Sequence, residues 1–184
     1  MNYGFIIGGV ILGICVIYFL VTYNNFIRLN NRVKESFATM DVYLKKRWDL
    51  IPNIVETVKG YAKHERDTLK DIVAERNGDY DKLSQDEKIK TNELINRNVS
   101  KLMAIAESYP DLKANENFLS LQTELSDIED EIAQTRKYYN AVVREFNDKV
   151  EMIPSNIVAK IIGYKSKGMF VADENEKKVV KVKL

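Results

Sequence analysis

The single histidine of this chain, His64, is followed by Glu65, which is how a zinc-protease helix motif begins. That motif needs a second histidine at position 68, where the chain has Thr68. Metal hydrolysis by that route is excluded, and His64 reads as an exposed or capping residue on a helix. A Ser-His-Asp triad would also have to use His64, and no Gly-x-Ser-x-Gly turn accompanies it. The chain has neither a Gly-x-x-x-x-Gly-Lys phosphate loop nor a dinucleotide fingerprint. Glu129, Asp130 and Glu131 stand together, but a di-metal bundle site wants Glu-x-x-His pairs, so the cluster reads as a solvated face. One cysteine, Cys15, excludes an internal disulfide and a Cys-only zinc site. The expectation is no catalytic, cofactor-binding or metal-binding residue, and no enzyme.

Two polar patterns remain. Lys45, Lys46 and Arg47, beside Trp48, form a candidate basic patch. An RNA-binding reading competes with attraction to anionic lipid headgroups, at about 1 kcal/mol per residue close to the surface. On an upright helix the three would stand ~30 Å from a bilayer, where salt screens the attraction and leaves a solvated stripe. Lys and Arg total 28 against 27 Asp and Glu, a formal net charge of +1, which argues against a nucleic-acid partner. Asp41, Asn53, Arg136, Asn140 and Asn147 lie near apolar stripes, either lining a groove or making interhelical hydrogen bonds that fix register.

The elements that must carry these residues are of two kinds. From Met1 to Asn25 no charged side chain occurs, and Tyr3 to Tyr23 is an apolar run of 21 residues. As a helix it would be ~32 Å long, matching a hydrocarbon core of ~30 Å. No basic n-region or small-residue cleavage site marks a secretory signal. Ile14 before Cys15 likewise departs from a lipoprotein signal. The run therefore predicts a retained membrane span. Basic residues follow it (Arg28, Arg32, Lys34) and none precede it, predicting a short outside N-terminus and a cytoplasmic body. Gly4, Gly8, Gly9 and Gly13 form two small-xxx-small pairs, the candidate packing residues of the span.

Beyond Asn25, apolar residues recur every three or four positions. The first stripe runs through Val33, Phe37, Met40, Leu44, Trp48 and Ile51. Pro52 after Asp49 suits the first turn of a new helix or a kink in a continuing one. The second runs from Ile54 to Val73 and ends at Asn77-Gly78; the third runs through Leu94, Ile95, Val99, Leu102, Met103 and Ala106 to Tyr109. The fourth, Phe118 to Val150, keeps heptad-like steps and faces either its own bundle or another subunit. A short helix, Asn156 to Ile162, ends at Gly163, with Phe170 docking back. The polar tail looks mobile, and Val179 to Val182 is too short to decide as an edge strand. The predicted fold is all-α: an N-terminal transmembrane helix running into an antiparallel four-helix bundle with long helices. The expected divisions are an anchor over 1–24, a bundle over 25–170 and a tail over 171–184.

Four ordered blocks of this sequence, Asp41–Glu65, Tyr109–Leu125, Arg136–Asn147 and Pro154–Lys165, resemble the LemA family of bacterial membrane proteins. The likeness runs from about Tyr23 to Phe170, with Phe37 standing where many members have Trp. It implies a single N-terminal anchor in the bacterial cell membrane and a helical bundle on the cytoplasmic side, with no established activity. The expected function is a non-enzymatic scaffold that self-assembles into a homo-oligomer through its long helices and its span. The alternative is an adaptor that binds a membrane protein, such as a protease or sensor, through the bundle surface.

Overall fold

The structure is a computed structural model and describes residues 3–76 and 78–170. Asn77 of the expected Asn77-Gly78 terminator, and the whole expected tail with Val179–Val182, lie outside the described residues. Helix α1 spans Tyr3–Tyr61, α2 Arg66–Ala74, α3 Gln85–Glu107, α4 Pro110–Lys113, α5 Glu116–Glu151 and α6 Ser155–Ile162. Short 3-10 turns at Lys63–Glu65 and Tyr80–Lys82 complete the order, and no strand occurs among the described residues.

Helix α1 does not break at Pro52 but passes through it. Proline lacks the N–H that would reach the carbonyl four residues back. The helix gives up that bond and continues because Leu50, Ile51, Ile54, Val55 and Val58 are all buried around it. It ends only at Ala62, whose ψ of 67° leaves the helical region.

The starts of the later helices are chemically marked. Ser84 and Glu87 form a capping box on α3: the Ser84 hydroxyl accepts the Glu87 N–H, and the Glu87 carboxylate accepts the Ser84 N–H at 2.7 Å. Pro110 opens α4, and the Asn115 side chain accepts the Phe118 N–H at 3.0 Å at the start of α5. Gly163 closes α6 at φ +78°, with Tyr164 N–H returning to the Ala159 carbonyl at 2.9 Å in a Schellman arrangement.

Hydrogen bonds from the Ser84 hydroxyl and backbone hold the Glu87 carboxyl below the usual carboxylate range. A depressed folded value stabilises above the unfolded value and is lost as pH falls through the folded one. The first turn of α3 is therefore expected to fray on acidification below about pH 4. Faster amide exchange at Glu87 and Lys88 would register it, and Ser84→Ala is expected to cost ~1 kcal/mol at neutral pH.

The chain divides into two compact units, each drawn from separate stretches. The first holds residues 3–38 and 137–169, so it takes the start of α1, the end of α5 and all of α6. Its core is Phe26, Leu29, Val33, Val143 and Phe146, all nearly inaccessible. The second holds residues 39–136 with Phe170, and its core includes Met40, Ile51, Ile54, Ile72, Leu102 and Leu112. The α5 stripe is buried inside this single chain at Phe118, Leu125, Ile128, Ile132, Tyr139, Val142 and Phe146. Phe170 is buried in the second unit, as expected of a residue that docks back.

Candidate functional site

In the second unit, three consecutive residues of the candidate basic patch part company. Side chains on neighbouring helical positions point ~100° apart. Arg47 is 1% exposed, one turn from Leu44 and Ile51 on the buried side of α1. Its guanidinium donates to Asn96 Oδ1 at 2.8 Å, to Glu129 Oε1 at 2.6 Å and to Asn92 Oδ1. One cation thus ties α1 to α3 and to α5, and the planar fork suits several acceptors at once. Lys45 sits at the surface against Asp49, whose hydrogen bond raises its pKa first of all. Lys46 lies over the Tyr43 ring at 5.4 Å.

A second polar knot lies in the same unit. Asp41 accepts a hydrogen bond from the Tyr80 hydroxyl at 2.8 Å and from Lys88 at 2.5 Å. The Tyr80 ring packs on Trp48 at 5.4 Å, and the Arg76 guanidinium lies over the Trp48 ring, 4.6 Å from its centre. Burial first, then the bond to Asp41, raise the Tyr80 phenol above its ordinary value. A raised folded value leaves the stability intact below the unfolded value near 10, with loss as pH climbs above it. Thermal midpoints across about pH 9 to 11 are expected to fall more steeply for the native chain than for Tyr80→Phe.

Beside these knots a groove of about 620 Å³ opens between α1 and α5 within the second unit. Tyr43, Leu50 and Ile128 supply apolar surface; Asp49, Glu124, Asp127 and Glu131 make the rim acidic, relieved by Lys46 and Asn53. Among the expected polar residues, Asn53 therefore lines a groove, Asp41 makes an interhelical bond to Lys88 of α3, and the Asn147 amide accepts the Lys167 N–H at 2.8 Å and donates to the Lys167 carbonyl at 2.9 Å. Arg136 and Asn140 are half-buried. His64 lies in the 3-10 turn after α1, among residues none of which is buried.

Asn92 and Asn96 escaped the sequence reading, and Glu129, read there as part of a solvated face, is paired with buried Arg47 while part of its side chain reaches solvent. The signal existed: Asn92 and Asn96 are one helical turn apart, and Glu129 follows buried Ile128. Helix α3 buries Ile95, Leu102 and Ala106 of the expected stripe together with Asn92 and Asn98, while Leu94, Val99 and Met103 of that stripe are only half-buried.

In the first unit the apolar window of α1 has a mean hydropathy of 2.7 and none of it is buried. By length and composition α1 is able to cross a membrane. Gly4, Gly8, Gly9 and Gly13 lie on this exposed stretch, and a methyl group added at any of them meets nothing within 4 Å. The segment after α6 is strapped to α5 by Asn147 and by the Tyr139 hydroxyl donating to the Gly168 carbonyl at 3.1 Å. Burial, then the nearby charge of Lys34, push the Lys167 ammonium down.

Comparison with known proteins adds an independent line. The model of the LemA family matches residues 36–184. Protein LemA of Metamycoplasma hominis is 30% identical over 173 residues, covering 91% of this chain and 78% of that protein. Magnetosome protein MamQ of Magnetospirillum gryphiswaldense is 23% identical over 172 residues, 79% of this chain and 63% of that protein. Magnetosome protein MamQ 2 of Paramagnetospirillum magneticum is 34% identical over 67 residues, 36% of this chain and 25% of that protein. The chain spans less than two thirds of either magnetosome protein.

Proposed function

This chain belongs to the LemA family, and from that premise we propose that it is a non-enzymatic, membrane-anchored scaffold that self-associates into a homo-oligomer. The observation that carries the reading is the apolar window of α1, none of which is buried. An apolar helix with no cover from its own chain is stable only in lipid or against another apolar helix. Its four glycines relieve no crowding inside the chain, so their small size is free to admit a second backbone. We read the anchor as a single pass, with the N-terminus outside and the body in the bacterial cytoplasm, on the strength of the basic residues that follow it. Within the second unit, α1 meets α5 as Tyr61 with Asn115 and Arg47 with Glu129, a falling order that supports antiparallel packing in a helical bundle.

The test is the mass of the full-length protein in mild detergent, by light scattering over a range of concentrations. The scaffold reading expects a mass several times that of one chain, reduced when Gly8→Leu and Gly13→Leu are combined. A strict monomer at every concentration refutes it. The acidic groove between α1 and α5 favours a second reading, an adaptor for a membrane protein partner. A partner crosslinked in equal amount, with no crosslink between copies, is the result that distinguishes it.

A further inference from the structure

Helix α6 has two apolar faces and packs only one of them. Ser155, Val158 and Ala159 are buried, while Met152, Ile153, Ile157 and Ile161 are 61, 82, 59 and 66% exposed. Ile157 and Ile161, four residues apart, form a ridge on α6, and Met152 and Ile153 are exposed in the turn that leads into it. Four bulky apolar side chains exposed this close together in the chain, on a body otherwise rich in charge, mark an interaction surface.

The height of that ridge along α1 identifies its partner. Tyr164, the residue after the glycine that ends α6, packs its ring 5.7 Å from Phe26 and 5.5 Å from Phe146. Phe26 lies three residues past Tyr23, the end of the apolar run, which is ~4.5 Å along a helix. Cover by the body begins sooner still: Thr22, inside the run, is already 8% exposed. The end of α6 therefore sits at the level where α1 leaves the hydrocarbon. Charge agrees. In residues 25–38 and 137–169, nine Lys and Arg face four Asp and Glu, and Lys160 and Lys165 are exposed next to the ridge. Residues 39–136 carry the opposite excess, fifteen against twenty.

We propose that α6 is an interfacial helix, whose Met152, Ile153, Ile157 and Ile161 enter the headgroup–acyl boundary of the same bilayer that α1 spans while Lys160 and Lys165 meet anionic headgroups. The inference rests on the reading of α1 as a membrane anchor. Amphipathic helices of this kind bury their apolar face ~5–10 Å deep, which matches the height set by Tyr164 and Phe26. A second copy of the chain is the weaker occupant. Pairing two ridges would bring like-charged lysines together, and four side chains cover far less than the ~800 Å² per partner of a stable interface.

The full-length chain carrying Cys15→Ser and Ile157→Cys, labelled with an environment-sensitive fluorophore, tests this in vesicles of phosphatidylethanolamine and phosphatidylglycerol. A parallel sample carries the label at Leu12→Cys, within the span, and another at Ile161→Cys. Quencher lipids bear their nitroxide either near the carbonyls or near the chain ends. The proposal expects blue-shifted emission at both α6 positions, with most of it lost to the shallow quencher, and loss at Leu12 to the deep one. Water-like, unquenched emission from α6 with Leu12 quenched overturns the proposal and leaves the anchor standing. Blue-shifted emission that neither lipid quenches means protein cover, a second copy, and also overturns it. No quenching at Leu12 removes the anchor reading and this one with it.

Discussion

Arg47→Ala is expected to destabilise the chain by ~3–5 kcal/mol, the range seen when one partner is removed from a buried ion pair. The guanidinium is 1% exposed and serves three acceptors on two other helices. Deleting it strands Asn92, itself 6% exposed, without the donor its carbonyl faces. Glu129 has an escape, since 38% of its side chain reaches solvent. Glu129→Gln is therefore expected to cost less than Arg47→Ala, because the amide oxygen still accepts from Arg47 while the charge lost was partly hydrated. Arg47→Lys keeps the charge but offers a single nitrogen in place of a fork, and should fall between the two. Denaturant midpoints of the full-length protein in detergent, followed by circular dichroism, would order the three. Equal losses for Arg47→Ala and Glu129→Gln would mean that the pair, rather than the buried cation, carries the energy.

Phe146→Ala is expected to cost a similar ~3–5 kcal/mol, by the lost burial and the cavity left behind. Phe146 is completely buried, edge-on to Phe26 at 6.0 Å and to Tyr164 at 5.5 Å, with the Lys167 ammonium 5.2 Å over its ring. This ring is what the segment following α6 packs against, through Tyr164 and Lys167. The loss should therefore be local first: amides of residues 155–168 are expected to exchange faster well before those of α3 do. Phe146→Leu keeps most of the volume and should cost less than ~1.5 kcal/mol. Exchange that rises equally in both units would show that the aromatic cluster supports the whole chain and not α6 alone.

The two losses arise from parts of the chain that differed greatly in legibility. The apolar start of α1 was readable because 21 residues without a charge stand out from the rest of the chain, and its window is unburied in the structure. The α5 stripe was readable because its steps of three and four persist along a long helix, and seven of its residues are buried as expected. The α3 stripe was readable in part: Ile95, Leu102 and Ala106 are buried as expected, while Leu94, Val99 and Met103 are only half-buried. Its buried face carries two asparagines, which a search for apolar periodicity passes over. Arg47 was obscured by its neighbours, since a Lys-Lys-Arg run reads as surface unless each residue is placed on the helix separately.

Sequence alone determined the helical class, the apolar first segment, the lack of a zinc-protease, phosphate-loop or dinucleotide motif and the family, because each rests on local composition, period or an ordered pattern of residues. Tertiary structure decided three other matters. Helix α1 continues through Pro52, since buried neighbours outweigh one missing hydrogen bond. The α5 stripe turns inward within one chain, which no periodicity can reveal, because the same heptad serves either partner. Arg47 became a buried tie between three helices only when Asn92, Asn96 and Glu129 arrived beside it from positions 45, 49 and 82 residues away. The physical reason is common to all three: periodicity records which face of an element avoids water, and only packing determines what that face meets.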